Sequence, residues 1–141
     1  MQGPERLRKA MPYRLTWTPS GVYREYLGDV TIAERRRSFD AICSDRRFDT
    51  LLYSITDYLA VNSYEATPVA TAEIAALHIG PFITNPRIVM AAVAVRPDIL
   101  AVIEEFKAHR FTTVPYRIFS TLVEATQWVR LGRGPVNFAP S

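Results

Sequence analysis

The alternation of apolar and polar residues near the start of the chain predicts a β-hairpin. Its strands are Tyr13–Thr18 and Gly21–Leu27, joined by a two-residue turn at Pro19-Ser20. A turn of this length sets the register and places Arg14 opposite Glu25, a cross-strand pair of opposite charge. The same register sorts the side chains between the two faces. One face of the hairpin is predicted to carry Tyr13, Leu15, Trp17, Val22 and Tyr26.

From Gly28 onward, helical and strand patterns alternate. Helix starts are predicted at Thr31 and Thr121, each followed three residues later by a glutamate, the spacing of a capping box. The stretch 57–67 predicts an irregular segment, and Gly80-Pro81 predicts the end of a helix. The remaining predictions are strands at 50–56, 87–95 and 116–119 and helices at 68–79, 97–109 and 121–130.

Helical spacing also predicts which helix faces are buried. The helix that begins at Thr31 has an apolar stripe of Ile32, Phe39, Ile42 and Cys43. Arg35 and Arg36 are expected to lay their stems along the edge of this stripe, with their charges in solvent. For the helix at 68–79, the predicted buried face is Val69, Ala72, Ala76 and Ile79.

These elements predict an α/β fold with a mostly parallel five-stranded sheet. Alternating strands and helices favour parallel neighbours joined by crossovers, and the hairpin supplies an antiparallel N-terminal edge strand. The expected organisation is a flexible N-terminal arm at 1–12, one domain at 13–130 and a flexible C-terminal tail at 131–141.

The element order resembles that of the STAS superfamily and, more closely, its SpoIIAA-like branch of small bacterial proteins. Three segments carry the likeness: Gly28–Glu34, Thr50–Thr56 and the closing Glu124–Val129. The resemblance implies a superhelix of strand–helix turns and a regulatory, protein-binding role. In anti-sigma-factor antagonists of this superfamily, a Ser or Thr after the third strand is phosphorylated in a motif such as Asp-Ser-Ser-Gly. Here that stretch reads Thr56-Asp57-Tyr58-Leu59, so the switch is expected to be absent.

Composition and charge exclude several function classes. Five of the 17 basic residues but only one of the 14 acidic residues lie outside 13–129, which leaves 12 basic and 13 acidic residues in the domain. This balance argues against a nucleic-acid partner, which would need a basic surface on the folded domain. The single cysteine, Cys43, favours a cytoplasmic location. No apolar run approaches the roughly 20 residues of a membrane span.

Candidate binding residues follow the predicted parallel strands. Ligands of open α/β sheets bind beyond the carboxyl ends of the strands, where this chain places Thr56, Asp57, Arg96 and Ser120. A carboxylate, a guanidinium and hydroxyls there suit a polar ligand or a charged group of a partner. The alternative interpretation is structural: Asp57 starts a turn, Arg96 pairs with a neighbouring acid, and Thr121 beside Ser120 caps its helix.

The sequence contains no catalytic motif and no metal-ligand spacing, so neither catalytic residues, metal nor cofactor are predicted. His78 and His109 lie near helix ends, where the helix dipole favours a cation. Tyr53, Tyr58 and Tyr64 suit either the lining of a ligand cavity or the core.

The leading hypothesis is a non-enzymatic cytoplasmic domain that binds a protein partner. The alternative is a carrier or sensor for an apolar small molecule or lipid, since the superfamily likeness extends to lipid-transfer domains. A homodimer through the apolar hairpin face is also predicted, because edge strands and uncovered apolar sheet faces are where chains meet. The competing account is that a helix or the C-terminal tail covers Trp17 within one chain.

Overall fold

A computed structural model describes residues 12–110 and 114–132. The strands are β1 (Tyr13–Trp17), β2 (Gly21–Val30), β3 (Tyr53–Tyr64), β4 (Val89–Val93) and β5 (Tyr116–Phe119). The helices are α1 (Ile32–Cys43), α2 (Pro68–Leu77), α3 (Ile79–Thr84), α4 (Pro97–Ala108) and α5 (Leu122–Gly132), with a 3-10 helix at Arg46–Thr50. The predicted arm and tail lie outside the described residues, apart from Pro12, Leu131 and Gly132.

The five strands form one sheet in the order β1-β2-β3-β4-β5. β1 runs antiparallel to β2, and the other neighbours are parallel, which confirms the predicted fold class. The hairpin register is also confirmed, because Arg14 pairs with Glu25 and Trp17 with Val22. The Arg14 guanidinium lies 3.0 Å from the Glu25 carboxylate.

The third strand is longer than predicted. The prediction of an irregular segment at 57–67 was therefore wrong. β3 spans 12 residues because β2 also runs on, to Val30, and offers a pairing partner. Their polar side chains join in the pairing. The Asn62 amide and the Ser63 hydroxyl each donate to the Asp29 carboxylate at 2.8 Å.

The predicted cap at Thr31 is confirmed as a complete capping box with Glu34. The predicted stop at Gly80-Pro81 was wrong. α2 ends at Leu77, and α3 begins at Ile79 and runs through Gly80-Pro81 to Thr84. A proline is tolerated in a first helical turn, where its missing N–H has no intrahelical partner to lose.

Two layers of helices sandwich the sheet. One face, called here the helix-rich face, packs against α1, the 3-10 helix, α3 and α4 and carries Val22, Arg24, Tyr26, Thr56, Tyr58, Met90 and Ala92. The opposite face packs against α5 through Ala125 and Val129. It carries Ile55, Val89, Ala91 and Val93.

The predicted interface on the hairpin is not an open surface. Val22 is 0% exposed and Tyr26 is 2% exposed, both within the core of the helix-rich face. Tyr13, Leu15 and Trp17 are half-buried against the same core. The chain after α1 turns through the 3-10 helix and lays Arg47 over the Trp17 ring, 4.1 Å from its centroid. Trp17 is therefore covered in part within one chain, while a dimer through the hairpin face stays a prediction.

Gly28 has a positive φ of 64°, in the left-handed region that L side chains avoid. A Cβ at this position would meet no atom within 4 Å, so only the backbone opposes substitution. We expect Gly28→Ala to lower the free energy of unfolding by about 1–2 kcal/mol. Gly28→Asn should lose less, because asparagine tolerates this conformation. Urea unfolding of the two variants tests this, and an alanine variant as stable as wild type would contradict it.

Candidate functional site

The structure does not bring the four sequence-predicted site residues together. Thr56 is buried on the helix-rich face, where its hydroxyl accepts from the Arg24 Nη2 at 2.9 Å and Nε at 3.2 Å. Asp57 points to the opposite face and accepts from the Tyr23 hydroxyl at 2.5 Å. The prediction placed both at the end of a strand, whereas β3 continues to Tyr64 and leaves them in mid-strand.

Arg96 and Ser120 do lie at strand ends, and both have local partners. The Arg96 guanidinium pairs with Asp98 at 2.8 Å and donates to the carbonyl oxygens at the far end of β3. The Ser120 hydroxyl donates to Glu124 at 3.3 Å, and Thr121 accepts from the Glu124 N–H as a helix cap. These contacts match the structural interpretation of both residues.

The same strand ends carry exposed apolar side chains. The Ala94 N–H donates to the Phe119 carbonyl at 3.0 Å and joins the ends of β4 and β5. Val95 after β4 is exposed, and so are Leu122 and Val123 after β5. Leu59 is exposed as well; it lies within β3, two positions beyond the pair of Asp57 and Val93. We call this set the carboxyl-end surface: Leu59, Val95, Leu122 and Val123.

A second feature lies between the sheet and the helices of its helix-rich face. A cavity of about 40 Å³ separates the helix-rich face of the sheet from α1, α2 and α4. Two arginines, four tyrosines and a histidine contribute to its lining: Arg24, Arg35, Tyr26, Tyr58, Tyr64, Tyr116 and His78. The cavity is therefore rich in hydrogen-bond donors, although it lies against the core.

Arg24 is held in place by hydroxyl groups. Its side chain is 9% exposed, and besides the two bonds to Thr56 its Nη1 donates to the Ser38 hydroxyl at 3.0 Å. Ser38 also contacts the Tyr26 hydroxyl at 2.8 Å. The guanidinium carbon lies 5.0 Å from the centroid of the Tyr26 ring.

Arg35 reaches the same cavity from α1. Its Nη1 donates to the Glu65 backbone carbonyl at 3.1 Å, and its guanidinium lies 4.7 Å from the centroid of the Tyr64 ring. The prediction that its charge lies in solvent was wrong, because Arg35 is 5% exposed. The inner face of α1 is formed by Arg35, Ser38 and Ile42 rather than by an apolar stripe alone.

Three tyrosines of the cavity, Tyr58, Tyr64 and Tyr116, are neutral. Burial raises the pKa of Tyr64 and of Tyr116 well above the ordinary value, and it also raises the pKa of Tyr58. The nearby charges of Arg24 and Arg35 act in the other direction on Tyr58 and Tyr64, but burial has the larger effect. Each phenol therefore keeps its proton at neutral pH.

His78 is neutral as well. Burial lowers its pKa to about 4, and the charge of Arg24 adds to this effect. The ring stacks on Phe39, 4.0 Å between centroids, and its Nδ1–H donates to the Ile74 carbonyl at 2.8 Å. The predicted role as a cation at a helix end was wrong, because α2 turns His78 inward against the core.

Cys43 borders a smaller cavity of about 20 Å³ next to the first. Burial raises the pKa of its thiol to about 12. Because the thiolate is the reactive form, this cysteine is inert as a nucleophile. Over residues 12–110 and 114–132, no group of three or more His, Cys, Asp or Glu side chains is placed to hold a metal ion.

The sequence pattern did not predict a polar site at Arg24, Arg35 and Ser38. The hairpin register contained the signal for Arg24, since this residue alternates with Val22 and Tyr26 on the apolar side of β2. For α1, the three-residue steps from Ile32 to Arg35 and Ser38 follow one helix face. A basic residue at an inward position is the sign of a buried polar site.

Comparisons with known proteins show the fold. No model of a protein family and no curated protein matches this chain. The unphosphorylated form of the anti-sigma factor antagonist SpoIIAA is similar in structure, with a TM-score of 0.58 and 12% identity over 84% of this chain and 97% of SpoIIAA. An uncharacterized protein of the DUF3478 family with a SpoIIAA-like fold, from Shewanella loihica, gives a TM-score of 0.52 and 10% identity over 83% of this chain and 91% of its own. The chain therefore has the SpoIIAA-like fold that the sequence resemblance implied.

Proposed function

We propose that this protein is a non-enzymatic regulatory domain that binds a protein partner in the cytoplasm. The carboxyl-end surface is the observation that carries the proposal. It presents four large apolar side chains to solvent, beside the ion pair of Arg96 with Asp98 and the hydroxyls of Ser120 and Thr121. An apolar centre with a polar rim is typical of protein–protein interfaces.

The fold likeness supports the same class of function. SpoIIAA is an anti-sigma factor antagonist, and the fold of this chain offers a comparable scaffold. No helix in the described part of the chain is long and apolar enough to cross a membrane. Thr56 is buried beneath α1 and bonded to Arg24, so we expect partner binding to be independent of phosphorylation at Thr56.

The alternative of a lipid or acyl-chain carrier has less support. An engineered apolar cavity that binds benzene measures about 150 Å³. The cavity between the helix-rich face and α1 is about 40 Å³ and is lined by two arginines. A second copy of this chain is one partner that the carboxyl-end surface could accept, and the dimer through the hairpin face stays a separate prediction.

Val123 and Val69 make a matched pair for testing the carboxyl-end surface. Each follows a threonine cap by two positions, and they are 66% and 69% exposed. An aspartate suits the first turn of a helix, so Val123→Asp and Val69→Asp should both fold like wild type. We expect Val123→Asp alone to weaken partner binding, by tenfold or more.

The measurement is affinity capture from lysate of the source cells, with quantitative mass spectrometry and circular dichroism of each variant. A protein retained by wild type and Val69→Asp but depleted by Val123→Asp is the expected partner. Sedimentation velocity of the three purified proteins shows whether that partner is a second copy. Identical captures for all three proteins, with no change in sedimentation, would refute the proposal.

A further inference from the structure

We propose that the cavity between the helix-rich face and α1 binds a small oxyanion, a carboxylate, nitrate or phosphate group, through the guanidinium groups of Arg24 and Arg35. This site is separate from the carboxyl-end surface and does not depend on the function proposed for it. The two arginines come from β2 and α1, so the fold itself brings their charges to one cavity.

The charge of the cavity is the first reason. Ion pairs in the described ranges 12–110 and 114–132 are formed by other arginines, namely Arg14, Arg36, Arg47 and Arg96. Arg24 and Arg35 are both buried, yet neither has a carboxylate partner within those ranges. A buried charge without a counter-ion is strongly unfavourable. Cation–π contacts with Tyr26 and Tyr64 offset only part of this cost.

Unused donors are the second reason. A guanidinium has five N–H bonds, and Arg24 directs three donor interactions at Thr56 and Ser38. Its remaining N–H bonds have no acceptor among the described residues. The hydroxyls of Tyr58, Tyr64 and Tyr116 beside the cavity keep their protons and hydrogen-bond to one another. Guanidinium donors with no acidic acceptor are complementary to an oxyanion.

The site is also preorganised. Thr56 and Ser38 fix the Arg24 guanidinium from two elements, and Ser38 itself donates to the Arg35 backbone carbonyl at 3.1 Å. A donor array that is already ordered loses little conformational entropy when a ligand binds. This arrangement differs from that of exposed arginines, whose side chains would have to be ordered by the ligand.

Cavity size limits the ligand. A water molecule needs about 10–15 Å³ of such volume, so 40 Å³ accommodates about three waters or an anion of similar size. A carboxylate, nitrate or phosphate group fits this space, whereas a nucleotide or a fatty acid does not. The alternative hypothesis is that the cavity holds only water molecules.

Chemical denaturation in different sodium salts at equal ionic strength tests the site. Gluconate is the reference anion, because it is too large for the cavity, and acetate, nitrate and phosphate are the probes. At a probe concentration one hundred times its Kd, the ratio of folded to unfolded protein should rise about 100-fold over gluconate. Isothermal titration with the most stabilising anion then gives its Kd and stoichiometry, and the ranking separates planar from tetrahedral anions.

Three variants identify the binding groups. Arg24→Met and Arg35→Met remove one cavity charge each and should lose the response to the probe anion. Arg36→Met is the matched control, because Arg36 follows Arg35 on α1 but pairs with Glu73 on the surface, and it should respond like wild type. In gluconate, Arg24→Met should be at least as stable as wild type, since it no longer buries an unpaired charge.

Two results would overturn the proposal. One is an equal salt response in wild type, Arg24→Met and Arg35→Met, which would reflect a general effect of salt on unfolding. The other is the absence of any stabilisation beyond gluconate, which would leave water as the occupant. If Arg24→Met does not fold, the comparison of Arg35→Met with Arg36→Met decides between these results and anion binding.

Discussion

Acidification from about pH 7 to about pH 4.5 is expected to lower the stability of the wild-type protein by about 2 kcal/mol more than that of His78→Phe. Burial lowers the pKa of His78 from 6.5 to about 4 in the folded protein. The unfolded chain therefore binds a proton at a higher pH than the folded chain does. The contribution of neutral His78 to the free energy of unfolding is complete above pH 6.5 and is lost as the pH drops toward 4. Below pH 4 the protonation of His78 lowers stability no further.

The packing around His78 explains why protonation is resisted. Phe39 stacks on the ring, while Phe82 and Phe106 meet it edge-on with centroids 5.2 and 4.8 Å away. A charged imidazolium would lose its hydration among three aromatic rings and would lie near Arg24. Phenylalanine suits this aromatic site and carries no titrating proton.

Urea unfolding at a series of pH values measures the effect as a difference between proteins. Subtracting the His78→Phe curve from the wild-type curve removes the contribution of carboxyl groups common to both. Parallel curves for wild type and His78→Phe would contradict the prediction.

Asn85→Ala is expected to lower the free energy of unfolding by about 2–4 kcal/mol. Asn85 is buried between α3 and β4, and its Nδ2 donates to the carbonyl oxygens of Phe48 and Leu51 at 2.9 and 2.8 Å. Its Oδ1 accepts from the Arg87 N–H at 3.3 Å. Alanine would leave two backbone acceptors without this donor, and each unpaired buried acceptor is costly.

Asn62→Ala is the matched control for this prediction. The Asn62 amide also donates a hydrogen bond, to Asp29 at 2.8 Å, but it does so at the surface, where water replaces the lost partner. We expect a much smaller loss of stability for Asn62→Ala in the same denaturant titration. Similar losses in the two variants would show that burial of the Asn85 contacts does not matter.

The elements that sequence predicted well are those set by local rules. The hairpin register follows from the two-residue turn, and the Thr31 cap follows from the spacing to Glu34. The last strand is confirmed at Tyr116–Phe119. In each case neighbouring residues in the sequence decide the conformation.

The elements that sequence missed depend on partners far along the chain. The second half of β3 forms a strand because it pairs with Gly28–Val30 of β2. The predicted buried face of α2 was wrong, since Val69 is exposed, whereas Ala70, Thr71 and Ile74 are buried. The prediction failed because this helix is apolar on several sides. Periodicity carries little information when small apolar residues occur all round a helix.

The candidate site was missed for a related reason. Prediction assigns arginine to the surface, because charged residues are almost never fully buried. Arg24 and Arg35 break that rule, and hydroxyls contributed by other elements make their burial possible. Conversely, Thr56 and Asp57 were placed at a strand end that the extended β3 does not have.

The strand order has a consequence for synthesis on the ribosome. Because each strand pairs with the one before it in the sequence, the sheet can grow at one edge as the chain emerges. All five residues of β4, Val89–Val93, are buried in the finished fold. Until Tyr116–Phe119 and α5 have left the exit tunnel, this apolar strand is an open sheet edge without the helix that covers one of its faces. The nascent chain is therefore most prone to aggregate in the interval between the emergence of β4 and the emergence of β5 and α5.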